Sequence, residues 1–183
     1  SNFARPFNNR GFAYLKKGDY DRALKDFDQA IKLNPDYVRA FANRAETYQQ
    51  RHDYQSAVRD YDTAIRIRPE FVAGWNGRCW TRAIMGELQP ALADCNKALA
   101  IRPNDAATLD SRGLVYLKLG QFDSAINDYS GAASAEPTMA TALYGRGLAG
   151  IKKGDSTGGN ADLAAAAKLE KKIAENFSQY GVR

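Results

Sequence analysis

Large, small and charged residues recur along this chain with one fixed period. The pentapeptides "NNRGF" at 8–12, "ANRAE" at 42–46, "NGRCW" at 76–80, "DSRGL" at 110–114 and "YGRGL" at 144–148 each begin 34 residues after the last. Counted from Ala4, the period gives five units, beginning at Ala4, Val38, Val72, Ala106 and Ala140. Position 4 of each unit is large and apolar (Phe7, Phe41, Trp75, Leu109, Leu143), and position 8 is small (Gly11, Ala45, Cys79, Gly113, Gly147). Position 20 is alanine in four units (Ala23, Ala57, Ala91, Ala125), with Gly159 in the fifth. Position 24 holds Phe27, Tyr61, Cys95, Tyr129 and Leu163, and position 27 is always alanine (Ala30, Ala64, Ala98, Ala132, Ala166).

This spacing predicts two short helices per unit. Small residues at positions 8 and 20 let two backbones approach, and large ones at 4, 11 and 24 fill the space on either side at helical intervals. Gly18, Gly86, Gly120 and Gly154 at position 15 mark the end of the first helix, where a left-handed residue is needed. Pro35, Pro69, Pro103 and Pro137 at position 32 stop the second. His52 takes the place of the glycine in the second unit and reads as a turn residue tolerating positive φ, not as a catalytic base, since no poised partner is evident.

These positions resemble the signature of the tetratricopeptide repeat, in a bacterial type with Asn-Arg-Gly first helices. The resemblance implies an all-α, right-handed α-solenoid in a single domain, residues 1–183. Its helix-turn-helix units would span 4–37, 38–71, 72–105, 106–139 and a degenerate 140–171, where Gly150 and Lys171 depart from the pattern. Ile173, Phe177 and Tyr180 fall at helical spacing, so 172–181 reads as a capping helix covering the exposed end of the stack. No matching cap precedes the first unit, which points to a fragment of a longer protein.

In this family the first helices line a concave groove that holds peptides or partner proteins. Carried over position by position, the peptide-binding groove comprises Asn8, Asn9, Phe12, Asn43, Glu46, Asn76, Trp80, Ile84, Asp110, Leu114 and Tyr144, flanked by Arg5, Arg39, Gln49, Ser111, Leu117 and Lys118. Trp75 is expected in the core and Trp80 in the groove, as an aromatic anchor. The asparagines are expected to hold a peptide backbone through paired donor and acceptor groups. A well-known subclass grips a terminal carboxylate, but only Asn43 matches its pattern here, so that clamp is not expected.

Composition narrows the rest. A net charge of +5 is spread among alternating acidic and basic residues, which is a solvated surface and not a nucleic-acid footprint. There is no phosphate-binding glycine loop, nucleophile motif or metal set, so we expect no enzyme, cofactor or metal. The expected partner is a protein or peptide, with self-association or regulation of a larger protein as alternatives. No membrane span is expected. The expected location is cytoplasmic, or periplasmic or secreted if a leader was trimmed ahead of Ser1 and Asn2, which read as a tag remnant.

Two recurring features have structural readings. Arginine fills position 7 of every unit (Arg10, Arg44, Arg78, Arg112, Arg146) and aspartate position 23 (Asp26, Asp60, Asp94, Asp128, Asp162). We expect ion pairs that set repeat register. Cys79 and Cys95 share one helix pair, either within disulfide reach or as two small buried thiols, and the reduced form is expected.

Overall fold

The computed structural model describes residues 3–182, leaving Ser1, Asn2 and Arg183 outside. Among the described residues there are eleven α-helices and no strand: α1 (Ala4–Lys16), α2 (Tyr20–Leu33), α3 (Val38–Gln50), α4 (Tyr54–Ile67), α5 (Val72–Met85), α6 (Leu88–Ile101), α7 (Ala106–Lys118), α8 (Phe122–Ala135), α9 (Ala140–Lys152), α10 (Ser156–Leu169) and α11 (Ile173–Gln179). Each odd-numbered helix up to α9 begins at the first residue of a 34-residue unit.

Local chemistry sets these boundaries. Asp19, Asp53, Asp105 and Asp155 cap α2, α4, α7 and α10, each accepting a backbone N–H three residues on, at 3.2, 3.1, 3.1 and 2.9 Å. The position-15 glycines all have positive φ, and His52 joins them at 59° with its Nδ1 2.9 Å from the Tyr54 hydroxyl. At the other end Asn34, Arg68, Arg102 and Glu136 are extended, as a residue preceding proline must be. Glu170 adopts the same geometry before Lys171, so the fifth second helix stops at the same point without a proline.

The chain forms two compact halves, one ending at Thr81 and one starting at Arg82. In the N-terminal half, Phe27 is fully buried with Leu15 and Ala23, and Tyr61 packs with Ala45 and Ala57. Burying such a ring stabilises by about 1.5–3 kcal/mol. Gly11 admits Phe27, since a Cβ there would lie 2.8 Å from the ring. In the C-terminal half Tyr129 is buried against Gly113 in the same way, again at 2.8 Å.

The position-24 tyrosines reach further than the phenylalanine. A Cβ on Gly77 would lie 2.3 Å from Tyr61 Cζ, and one on Gly145 2.2 Å from Tyr129 Cζ. Both glycines stand at position 6 of the following unit. Where position 24 is Phe27 or Cys95, position 6 carries Asn43 or Ser111. Tyrosine and glycine therefore alternate as a matched pair with a period of two units.

The arginine–aspartate pairs form within units. Arg10–Asp26, Arg44–Asp60, Arg112–Asp128 and Arg146–Asp162 are bidentate, every contact between 2.6 and 2.8 Å. Arg44, Arg78 and Arg112 also reach back to Asp28, Asp62 and Asn96 of the preceding unit. In the third unit Asp94 accepts from Arg82 at 2.7 Å. One guanidinium thus spans two units, which ties their spacing.

Two expectations change. Neither cysteine is a free thiol: Cys79 and Cys95 are both disulfide-bonded and fully buried, not reduced. Positions 8 and 24 face each other within the first and fourth units, as Gly11 does Phe27 and Gly113 does Tyr129. Trp75 is half-buried instead of lying in the core, because its indole N–H donates to the Pro69 carbonyl at 2.7 Å and Arg78 lies 4.9 Å above the ring.

Candidate peptide-binding face

In the N-terminal half the first helices α1 and α3 and the start of α5 carry the residues assigned to the groove. Their amides are partly linked. Asn43 Nδ2 donates to Asn8 Oδ1 at 2.9 Å, and Asn8 is only 5% exposed. Asn8 Nδ2 lies 3.5 Å from Asn9 Oδ1, and Asn9 itself is exposed. Asn8 and Asn43 are thus largely occupied with each other, while Asn9 presents its amide outward. Gln49 is tied down completely, donating to Thr81 Oγ1 at 2.6 Å and accepting from the Tyr61 hydroxyl at 3.3 Å.

Beside the amides stands an aromatic ring in solvent. Phe12 is 40% exposed on α1, with Lys16 Nζ 4.8 Å from its centroid. Lys16 in turn pairs with Glu46 on α3 at 2.9 Å, so Glu46 serves a cross-unit ion pair on this face. Asn76 is half-buried and its Oδ1 has no hydrogen-bond partner among the described residues, a costly state for an acceptor removed from water. Trp80 is half-buried and engaged within the fold.

The C-terminal half has a different inner face, because its own tail lies on it. Phe177 of α11 packs on Tyr144 with centroids 4.8 Å apart, and Tyr180 follows at 5.5 Å from Phe177. Lys118 of α7 donates to the Tyr180 carbonyl at 2.8 Å and to the Ala83 carbonyl at 2.7 Å. Burial lowers the pKa of that ammonium. Leu114 and Leu117 are each 4% exposed, and Ser111 turns its hydroxyl back to the Ala107 carbonyl. Ile84 is half-buried. The segment read as an end cap therefore also sits over residues assigned to the groove.

Asp110 also stands on α7. Burial pushes its carboxyl up to about 7, against the pull of a hydrogen bond with Thr141, and Glu136 raises it further. Its Oδ1 and the Tyr129 hydroxyl are buried without hydrogen-bond partners among the described residues. Burial and the nearby Asp110 charge both raise the Tyr129 phenol.

A cavity of about 640 Å³ lies in the N-terminal half, lined in part by Asn9. Arg5 and Arg39, both read from the sequence as groove residues, line it together with Arg68 and Asn34, which the repeat frame places in the connections between units. Among the described residues no group of three or more His, Cys, Asp or Glu is arranged to hold a metal. No described helix is long and apolar enough to cross a membrane.

Three family profiles, each described as tetratricopeptide repeat, match residues 4–37, 27–59 and 111–180, together more than half of the chain. No curated protein matches it in sequence. Among solved structures it is similar to TTC0263, a thermophilic TPR protein of Thermus thermophilus, at 23% identity and TM-score 0.80, covering 97% of each chain. PilW, a type IV pilus biogenesis factor, gives 20% identity and TM-score 0.84 over 98% of this chain and 88% of its own. YrrB, described as a TPR protein with an unusual peptide-binding site, gives 19% identity and TM-score 0.65 over 96% and 92%. At these identities the likeness establishes the fold, an all-α helical-repeat solenoid.

Proposed function

This chain belongs to the tetratricopeptide-repeat family, and from that premise we propose that it is a non-catalytic scaffold holding an extended segment of another protein against the first helices of its N-terminal half. The observation that carries the reading is the exposed Phe12 ring beside the outward-facing Asn9 amide. An aromatic side chain supplies apolar area at low entropic cost, and neighbouring amides satisfy the backbone groups of a bound strand. Asn43, Asn76 and Glu46 border that contact, and Trp80 occupies the same repeat position as Phe12 two units on. The similarity to YrrB, whose description names a peptide-binding site, supports a peptide as the ligand class.

The experiment is capture of partner proteins by wild type, Phe12→Ala and Trp80→Ala, each first checked for equal helicity. Loss of a partner from Phe12→Ala, on the order of 30-fold or more in affinity for a true anchor, supports the inner face as the site. Equal retention by all three sinks it. Light scattering of the free chain provides the second arm, since a concentration-dependent doubling of mass abolished by Phe12→Ala would make the partner a second copy.

A further inference from the structure

Ion pairing accounts for most of the arginines in this chain. The position-7 residues meet aspartates in every case resolved above, and Arg22, Arg51, Arg82 and Arg102 also hold carboxylates. Arg5, Arg39, Arg59, Arg66 and Arg68 make no ion pair among the described residues, and three of these five line one cavity. That cavity sets three exposed arginines against a single carboxylate, Asp36. Like charges gathered in one concavity repel each other, weakly in open solvent and more strongly as solvent is displaced. The arrangement is electrostatically incomplete without an anion.

Building on the peptide-binding reading above, we propose that this cavity receives acidic side chains of the bound segment, so that the ligand is a glutamate- or aspartate-rich peptide. Guanidinium groups bind carboxylates through two parallel N–H donors. Arg5 and Arg39 occupy the same position in consecutive units, so they offer the same donor fork at one-unit spacing, with Arg68 on the connection that follows. Asn9 both lines the cavity and lies one helical turn from Phe12, which places the charged pocket next to the apolar anchor along α1. A nucleic acid also carries anions, and its bases could stack on Phe12, so an oligonucleotide enters the test as the competing ligand. The one aromatic lining the cavity, Tyr37, is half-buried and packed on the Ala4, Ala30 and Ala40 cluster, so its ring is committed to the core.

The test uses a fluorescein-labelled peptide of alternating glutamate and glycine, about 12 residues long so that it spans the pocket and Phe12, and amidated at its C-terminus. Its glutamine counterpart and a single-stranded oligonucleotide serve as comparisons. Anisotropy titrations are run with wild type, Arg5→Gln/Arg39→Gln and, as a charge-matched control, Arg59→Gln/Arg66→Gln. The expected result is binding of the glutamate peptide alone, weakened roughly tenfold or more by the cavity pair and less than about twofold by the control. Equal weakening by both pairs overturns the proposal in favour of bulk charge. Tighter, equally arginine-dependent binding of the oligonucleotide overturns the ligand class, and no binding of the glutamate peptide to wild type overturns it outright. Partner capture that depends on Phe12 without any glutamate-peptide binding would leave the groove reading standing and remove only this one.

Discussion

Removing the Asp128 carboxylate should be among the most damaging single changes to the C-terminal half. Asp128 is 2% exposed and accepts from Arg112 Nε at 2.6 Å and Nη2 at 2.8 Å. Asp128→Ala strips both charge-assisted bonds and strands a guanidinium whose side chain is only 22% exposed. Breaking one side of such a buried pair typically costs about 3–5 kcal/mol. The Asn96 side-chain Oδ1, which accepts from Arg112 Nη1 at 2.9 Å, and the Tyr116 ring recover part of this and place the expectation near the lower bound. Asp162→Ala is the internal comparison: the same bidentate geometry at 22% and 30% exposure should cost about 1–2 kcal/mol, between the buried and surface regimes. Urea unfolding followed by far-ultraviolet circular dichroism measures both. The double replacement Arg112→Met/Asp128→Leu should regain most of the loss, because no charge is left uncompensated. A cost for Asp128→Ala no larger than for Asp162→Ala would refute the idea that burial sets the value of these pairs.

Other expectations follow from single observations. Gly145→Ala places a methyl 2.2 Å from Tyr129 Cζ and should cost about 1–3 kcal/mol by overpacking, measured by the same unfolding experiment; an unchanged midpoint would contradict the fit. His52→Gly relieves a positive φ of 59° and should raise stability by up to about 1 kcal/mol, visible as a higher melting temperature. Asp110 holds its proton to about pH 7 when folded and releases it near 4 when unfolded, so its contribution is fully present below about pH 4 and lost as pH rises through about 7. Asp110→Asn should therefore match wild type in acid and exceed it by a few kcal/mol at about pH 8, and parallel stability curves would rule this out. Titration of the denatured protein should find no free thiol before reduction and both cysteines after it, whereas two thiols at the outset would exclude the disulfide.

The fold was largely written in the 34-residue spacing. Helix starts at Ala4, Val38, Val72, Ala106 and Ala140 follow from where small and large residues recur, and the turn at His52 from its substitution for glycine. The oxidation state of Cys79 and Cys95 did not follow, because spacing places two thiols together without saying whether they are bonded. The site was only half legible. Repeat position suggests which faces of α1 and α3 carry Phe12 and Asn9, but nothing local marks Leu114 as buried or Tyr144 as covered. The cover over Tyr144 comes from Phe177, well downstream in the chain, and the repeat frame places that tail only as a cap on the end of the stack. Arg68 was missed because the frame assigns its position to a connection. Its signal was an arginine outside the position-7 and position-23 pairing, a property it shares with Arg5 and Arg39.

The matching of tyrosine with glycine across successive units governs how such a chain can change length. Excising a single unit, residues 72–105, would set Ser111 opposite Tyr61, where even a Cβ has no room at 2.3 Å. Excising two, residues 72–139, would bring Gly145 to that place and keep the seam closed. Insertions obey the same arithmetic. For duplication, recombination or engineering, the transferable module is a pair of repeats of 68 residues, and the single 34-residue motif visible in the sequence is half of it.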